Sequence, residues 1–114
     1  MPEPLRVVTK FAFEPDEILR LQSAVPGRQV RILVCRSEDE FRENLKTAEV
    51  IFGSCRGSHL AQAAGVKWIQ SSAAGVDNLD PELRESPVIL TNYAGPFAPG
   101  IAETAFGLLL SLTR

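Results

Sequence analysis

Residues 71–76, with the sequence SSAAGV, are the part of this chain whose residue types best suit chemistry. They directly follow a short apolar run and precede Asp77, so a loop of small side chains is predicted at the end of a strand. Side chains as small as those of Ala73, Ala74 and Gly75 leave the backbone N–H groups accessible, and consecutive N–H groups can form a nest for an anion. A helix beginning near Asp77 would add the positive end of its dipole. This pattern predicts a site for a carboxylate or a phosphate.

The same stretch has a purely structural interpretation, in which it is only a tight turn between a strand and a helix. Asp77 would then be the N-cap of that helix, because its side chain can accept a hydrogen bond from a backbone N–H group. The spacing of the residues leaves both interpretations open.

Short apolar runs alternate with segments that carry helical signals, and this alternation predicts the fold. The apolar runs are 5–8, 30–35, 50–52, 67–70 and 88–90. The helical segments are 15–25, 37–48 with a capping box formed by Ser37 and Glu40, 58–64, and a brief helix in the DPELRES stretch. Strands that alternate with helices pair in parallel, because each helix carries the chain back across the sheet. We therefore predict an α/β fold, a flavodoxin-like five-stranded parallel sheet in the order 2-1-3-4-5 with helices on both faces.

The C-terminal segment 99–114 differs from the other helical segments, because apolar residues occupy most sides of its predicted helix. Examples are Ile101, Phe106, Leu109 and Leu112. A helix that is apolar all round is normally buried on all sides, which a domain of this size could hardly achieve for a terminal helix. We therefore expect another domain or another subunit to cover it.

Composition limits the classes of partner and the cellular setting. The chain has 114 residues and a formal net charge of −2, so about one domain is expected, with neither nucleic acid nor an anionic membrane as partner. A secretory signal and a membrane-spanning run are not predicted, and a cytoplasmic location is expected. Cys35 and Cys55 are expected to be free thiols, although a disulfide between them is geometrically allowed. With His59 as the single histidine and no CxxC motif, no metal site is predicted.

Residues 67–114 resemble the NAD(P)-dependent D-isomer-specific 2-hydroxyacid dehydrogenases in the order and spacing of several motifs. These are the KW strand, the SAAGVD loop, the VILTN strand and the IAE sequence that opens a Leu/Ala-rich helix. Residues 1–66 match the family only in general layout. The resemblance implies a flavodoxin-like substrate domain over 1–98, with 99–114 as the first helix of an otherwise absent dinucleotide-binding domain.

The resemblance also implies a substrate site. In the family, backbone N–H groups of the small-residue loop hold the substrate carboxylate, and a segment after the third strand adds further contacts. The positions of this sequence that match are Ala74, Gly75 and Val76 in the loop, and Ser54, Cys55 and Arg56 after the third strand. Arg56 could equally be a solvated surface side chain, and Asn92, at the domain junction, is a candidate cofactor contact.

The implied activity belongs to a full-length parent protein, which would transfer hydride between nicotinamide, as NAD or NADP, and a small 2-hydroxy or 2-keto acid. The GxGxxG fingerprint is absent from this sequence, and the family's catalytic Arg, Glu and His would lie beyond residue 114. No catalytic residue and no bound cofactor are therefore expected here, and the chain, as an excised or truncated domain, is expected to be inactive alone. His59 does not match the family's acid/base, and a surface or capping role is the simpler interpretation.

The same residues disfavour two further classes of protein. A phosphoreceiver domain is disfavoured because VVTKF and VIFGS lack the acidic residues that it needs, and an FMN-binding flavodoxin because TKFAFEP lacks a hydroxyl- and glycine-rich phosphate loop. A non-catalytic carboxylate-binding or dimerising flavodoxin-like module remains the alternative. In either case a homodimer formed through the helix 101–113 is expected, since that helix also packs in the family's dimer interface.

Overall fold

A computed structural model describes residues 3–113 as an open parallel sheet flanked by helices. The strands are β1 (Leu5–Thr9), β2 (Val30–Val34), β3 (Val50–Phe52), β4 (Trp68–Gln70) and β5 (Ile89–Thr91). The helices are α1 (Pro15–Ser23), α2 (Glu38–Leu45), α3 (Gly57–Leu60), α4 (Pro81–Glu85) and α5 (Ala98–Ser111). All neighbouring strands pair in parallel in the order β2-β1-β3-β4-β5. The predicted fold class and strand order are confirmed.

The helices begin where the sequence supplies a cap or a proline. The Ser37 hydroxyl accepts a hydrogen bond from the Glu40 N–H group at 3.1 Å, as the capping-box pattern predicts. The Glu40 carboxylate reaches back to the N–H group of Arg36 at 2.9 Å rather than to that of Ser37. Pro15 and Pro81 open α1 and α4, where the missing N–H group of proline costs nothing.

One face of the sheet carries the hydrophobic core, beneath α2, α3 and α4. Val8, Ile51 and Ile69 lie side by side on β1, β3 and β4 and are buried. Phe41 and Leu45, one turn apart on α2, are buried in the same cluster. Burial stabilises each of these side chains by about 1.5–3 kcal/mol, so the core holds three central strands in register and thereby fixes where their carboxyl ends lie.

The opposite face is covered by α1, which packs against β2 and leaves part of the sheet open. An apolar groove of about 320 Å³ runs along this face, with Val7, Phe52 and Trp68 among its lining residues. Trp68 is 40% exposed, and its indole N–H donates a hydrogen bond to the Thr91 hydroxyl at 2.8 Å. The two faces of the sheet are therefore shielded from solvent to different degrees.

The helix α5 differs from the other helices because every one of its residues is exposed. Its exposed large apolar residues are Ile101, Phe106, Leu108, Leu109 and Leu110. The predicted segment 99–114 thus forms a helix, although Arg114 lies outside the described residues. The division into 1–98 and 99–114 as parts of two domains stays a prediction. Of the helices described, none has both the length and the hydropathy that crossing a membrane requires.

Candidate functional site

A cleft of about 420 Å³ opens at the carboxyl ends of β3 and β4. Ligands of open α/β sheets bind outside the carboxyl ends of the strands. Residues 53–56, here called the β3 loop, form one wall of the cleft. Residues 71–79, here called the β4 loop, form the other wall through Ser71, Ala73, Gly75 and residues 77–79. The apolar side chains of Ile69, Leu83 and Leu90 also line it. The cleft therefore joins polar loops to the edge of the core.

The cleft brings together predicted site residues from both loops. They are Ser54, Cys55 and Arg56 from the β3 loop and Gly75 from the β4 loop. Ala74 and Val76, on either side of Gly75, are exposed but do not line the cleft, and neither does Asn92. Of the three predicted loop residues, the structure thus places Gly75 at the cleft, beside Ser71 and Ala73 of the same loop.

The backbone N–H groups of the β4 loop differ in whether they donate a hydrogen bond within the protein. The Ala73 N–H group donates to the Ser71 hydroxyl at 3.1 Å. Within residues 3–113, the N–H groups of Ala74, Gly75 and Val76 donate no hydrogen bond. Backbone donors are strong hydrogen-bonding groups that must find water or a ligand when the protein does not supply an acceptor. Three consecutive free donors beside a cleft can bind the oxygens of a carboxylate.

The segment after β5 holds the β4 loop in place. The Tyr93 N–H group donates to the Ala73 carbonyl at 2.9 Å. The Asn92 side-chain Nδ2 donates to the Ala74 carbonyl at 2.8 Å. This supporting role of Asn92 leaves no local pattern in the sequence, because the hydrogen bond joins residues 18 positions apart. Its suggested role as a cofactor contact stays a prediction.

The prediction of a helix beginning near Asp77 is wrong. The next helix, α4, begins at Pro81, because proline fixes the backbone angle that a first helical residue needs. Asp77 instead lines the cleft without capping a helix, so no helix dipole lies behind the β4 loop. The residue before α4, Asp80, directs its carboxylate to the Gly57 N–H group of α3 at 2.7 Å, which ties the two walls of the cleft together.

Charge and acidity in the cleft do not favour nucleophilic chemistry. Arg56 and Asp77 bring opposite charges to the lining. Burial raises the pKa of the Cys55 thiol to about 11, so it stays protonated near neutral pH and is a poor nucleophile. Cys35 is buried, and burial raises the pKa of its thiol as well. Among residues 3–113, no cluster of His, Cys, Asp and Glu could hold a metal ion.

His59 is buried, with 2% of its surface exposed. Its Nδ1 accepts a hydrogen bond from the Arg56 N–H group at 2.9 Å, and its Nε2 lies 2.6 Å from the Glu38 carboxylate. Of the two simple roles predicted for this residue, the structure shows the capping role and not the surface one. His59 does not line the cleft, although it contacts the end of the β3 loop.

The fold and the cleft define an open α/β domain whose candidate site lies at the carboxyl edge of the sheet. No protein-family model matches the chain. The hydroxypyruvate reductase of Thermotoga maritima is 30% identical over 108 residues, which make up 94% of this chain and 29% of that protein. The chain therefore spans less than a third of the length of this relative.

Solved structures share the fold. Phosphoglycerate dehydrogenase from Lactobacillus plantarum matches with a TM-score of 0.59 and 24% identity, over 94% of this chain and 34% of its own. The NAD⁺-bound 3-phosphoglycerate dehydrogenase of Entamoeba histolytica matches with a TM-score of 0.67 and 19% identity, over 94% and 38%. The apo D-lactate dehydrogenase of Escherichia coli matches with a TM-score of 0.61 and 17% identity, over 96% and 37%. At these identities the likeness establishes the fold alone. Together with the sequence relative, it confirms the resemblance to the D-isomer-specific 2-hydroxyacid dehydrogenase family.

Proposed function

We propose that the chain supplies the substrate-binding part of an NAD(P)-dependent D-2-hydroxyacid dehydrogenase, whose substrate is a small 2-hydroxy or 2-keto acid. The proposal is supported by the sequence relative, a hydroxypyruvate reductase of which the chain matches 29%, and by structural neighbours that are dehydrogenases. The single observation that carries it is the run of free N–H groups at Ala74, Gly75 and Val76 beside the cleft.

The substrate carboxylate would accept hydrogen bonds from these N–H groups. Hydrogen bonds to a charged acceptor are shorter and stronger than neutral ones and contribute about 1.5–3 kcal/mol each. Arg56, exposed at the opposite wall, would add a positive charge. The apolar side chains of Ile69 and Leu90 would face the non-polar part of the ligand. This arrangement would bind the substrate and orient it in the cleft.

The described residues do not fit a dinucleotide. A glycine-rich turn after the first strand normally lets the backbone approach the pyrophosphate. In this chain that turn carries Phe11 and Phe13, whose rings pack on Phe52 with centroid distances of 5.8 and 5.2 Å. The proposal therefore assigns the cofactor and the acid/base group to a part of a longer protein, and this chain alone is proposed to be inactive. Nicotinamide, when bound there, would supply the hydride.

We further propose that α5 mediates self-association. Its apolar side chains are exposed, with Phe106 at 66% and Leu109 at 56%, and covering such a surface is favourable in water. This observation also favours a second candidate function, a non-catalytic dimerising module. Sedimentation over a dilution series distinguishes the two, because a dedicated dimer persists on dilution whereas an uncovered helix of a substrate domain gives concentration-dependent association.

The ligand class is tested by titrating the chain with D-lactate and with lactamide, which has the same shape but no charge. Isothermal calorimetry or ligand-observed NMR would measure both affinities, and inorganic phosphate serves as a second anion. The proposal predicts that D-lactate binds and lactamide does not, with D-lactate preferred to phosphate. Equal binding of lactate and lactamide, or a preference for phosphate, would contradict it.

A further inference from the structure

We propose that His59 is a positioning residue of the cleft, because its imidazole connects Glu38 of α2 to the backbone of Arg56 and thereby fixes the β3 loop. The inference rests on the proposed function in one respect, namely that the β3 loop contacts the substrate. His59 itself would touch no ligand, since it does not line the cleft.

The hydrogen bonds of the ring define its tautomer. Because Nδ1 accepts a hydrogen bond from the Arg56 N–H group at 2.9 Å, the proton of the neutral ring must be on Nε2. That nitrogen then donates to the Glu38 carboxylate at 2.6 Å. Nδ1 is thus an acceptor and Nε2 a donor. In the other tautomer the proton on Nδ1 would point at the Arg56 N–H group, and two donors would face each other.

The position of His59 explains why it acts on the loop. It is the third residue of α3, and Arg56 is the N-cap. In a capping box this third position is normally Glu or Gln, whose side chain accepts from the N-cap N–H group. Imidazole performs the same task and also packs edge-on against Phe41 of α2, with ring centroids 5.1 Å apart. It therefore connects a four-residue helix to the buried core.

Two cationic side chains, Lys10 just after β1 and Arg42 of α2, fix the carboxylate that is the partner of His59. The Glu38 carboxylate lies 3.1 Å from the Lys10 ammonium and 3.0 Å from the Arg42 guanidinium. Hydrogen bonds from His59 and then from Lys10 lower the pKa of Glu38 to about 2. An ionised Glu38 can only accept a hydrogen bond, which keeps the proton on Nε2 and leaves Nδ1 available to Arg56.

The backbone of the β3 loop depends on this contact because few of its N–H groups donate other hydrogen bonds. Its first residue, Gly53, donates its N–H group to the Gln70 carbonyl at 2.8 Å. Within residues 3–113, the N–H groups of Ser54 and Cys55 donate no hydrogen bond. The next backbone N–H group that donates is that of Arg56, to His59. The backbone of Ser54 and Cys55 is therefore fixed by N–H hydrogen bonds only at its two ends, while the Cys55 side chain packs against the core.

Two substitutions separate positioning from packing. His59→Gln keeps an acceptor for the Arg56 N–H group, as in an ordinary capping box, whereas His59→Leu keeps bulk against Phe41 and removes both hydrogen bonds. We expect His59→Leu to move the amide resonances of residues 54–56 and to weaken D-lactate binding by about tenfold. His59→Gln should restore most of the affinity and the wild-type resonances, and urea unfolding of both variants gives their stability.

The ¹⁵N shifts of the imidazole ring in the unmodified chain provide the second readout. The proposal predicts an unprotonated Nδ1 and a protonated Nε2, and the reverse pattern would overturn it even if His59→Leu does not fold. Unchanged resonances for residues 54–56 in His59→Leu, or equal effects of the Leu and Gln variants, would also overturn it. If the unmodified chain binds no D-lactate, the proposed function fails, whereas the resonances of residues 54–56 still decide whether His59 positions the loop.

Discussion

Substituting Gly75 by valine should abolish most of the carboxylate binding while leaving the fold intact. A Cβ atom built on Gly75 meets no heavy atom within 4 Å. The residue is exposed and does not adopt the left-handed conformation that favours glycine. Surface substitutions of this kind usually change the free energy of unfolding by less than about 0.5 kcal/mol, so the stability of the fold should be nearly unchanged.

The expected loss of affinity follows from the free donors around Gly75. Two methyl groups would stand beside the N–H groups of Gly75 and Val76, which donate no hydrogen bond within residues 3–113. Blocking one charge-assisted hydrogen bond costs about 1.5–3 kcal/mol, which corresponds to a dissociation constant roughly 10 to 150 times larger. In a full-length parent enzyme the same change should raise the KM for the keto acid.

The assay is calorimetric titration with D-lactate, combined with urea unfolding of the same preparations. Ser72→Val is the matched control, because Ser72 is an exposed residue of the same loop that does not line the cleft. It should bind D-lactate as well as the unmodified chain does. Unchanged affinity in Gly75→Val, or an equal loss in Ser72→Val, would refute the argument that the donors at residue 75 hold the anion.

Three further predictions follow from other parts of the structure. Asp77→Asn removes a negative charge from the cleft lining and should strengthen D-lactate binding a few-fold at low salt. The gain is roughly the energy of one screened charge pair. Unchanged affinity would show that this carboxylate does not face the ligand. Leu109→Lys combined with Leu112→Lys should make the chain more monomeric in sedimentation experiments, since Leu109 of α5 and Leu112, the residue that follows α5, are both exposed, and unaltered association would exclude this surface as the contact. The pKa of Glu38 is lowered from 4.5 to about 2, so the stability that it contributes is present above about pH 4.5 and is lost as the pH falls towards 2. The stability difference between the unmodified chain and Glu38→Gln in urea should therefore shrink over this range, and a constant difference would contradict the assigned hydrogen bonds.

The strands and helices could be located from the sequence because the signals that mark them are local, and their alternation matched the strand order of a flavodoxin-like fold. Apolar runs such as 30–35 and 50–52 alternate with amphipathic segments, and Ser37 with Glu40 marks a helix start. The small side chains of the β4 loop likewise identified the segment with free donors. These features depend on residues a few positions apart, for which the periodicity of strands and helices is informative.

The contacts that position the cleft could not be predicted, because they join residues distant in the chain. Glu38 and His59 are separated by 21 positions, and the bond from Asn92 to the Ala74 carbonyl spans 18. The error at Asp77 has a different cause. Asp77 and Asp80 are both suitable before a helix, and only the proline after Asp80 decides between them.

The most direct test of the account is a ¹⁵N-resolved NMR titration of the assigned chain with D-lactate. We predict that the amide resonances of Ala74, Gly75 and Val76 move with a common saturation curve, and that lactamide at the same concentrations leaves them unchanged. Saturable D-lactate binding in which these three resonances stay in place would contradict the account, because the anion would then be held by other groups.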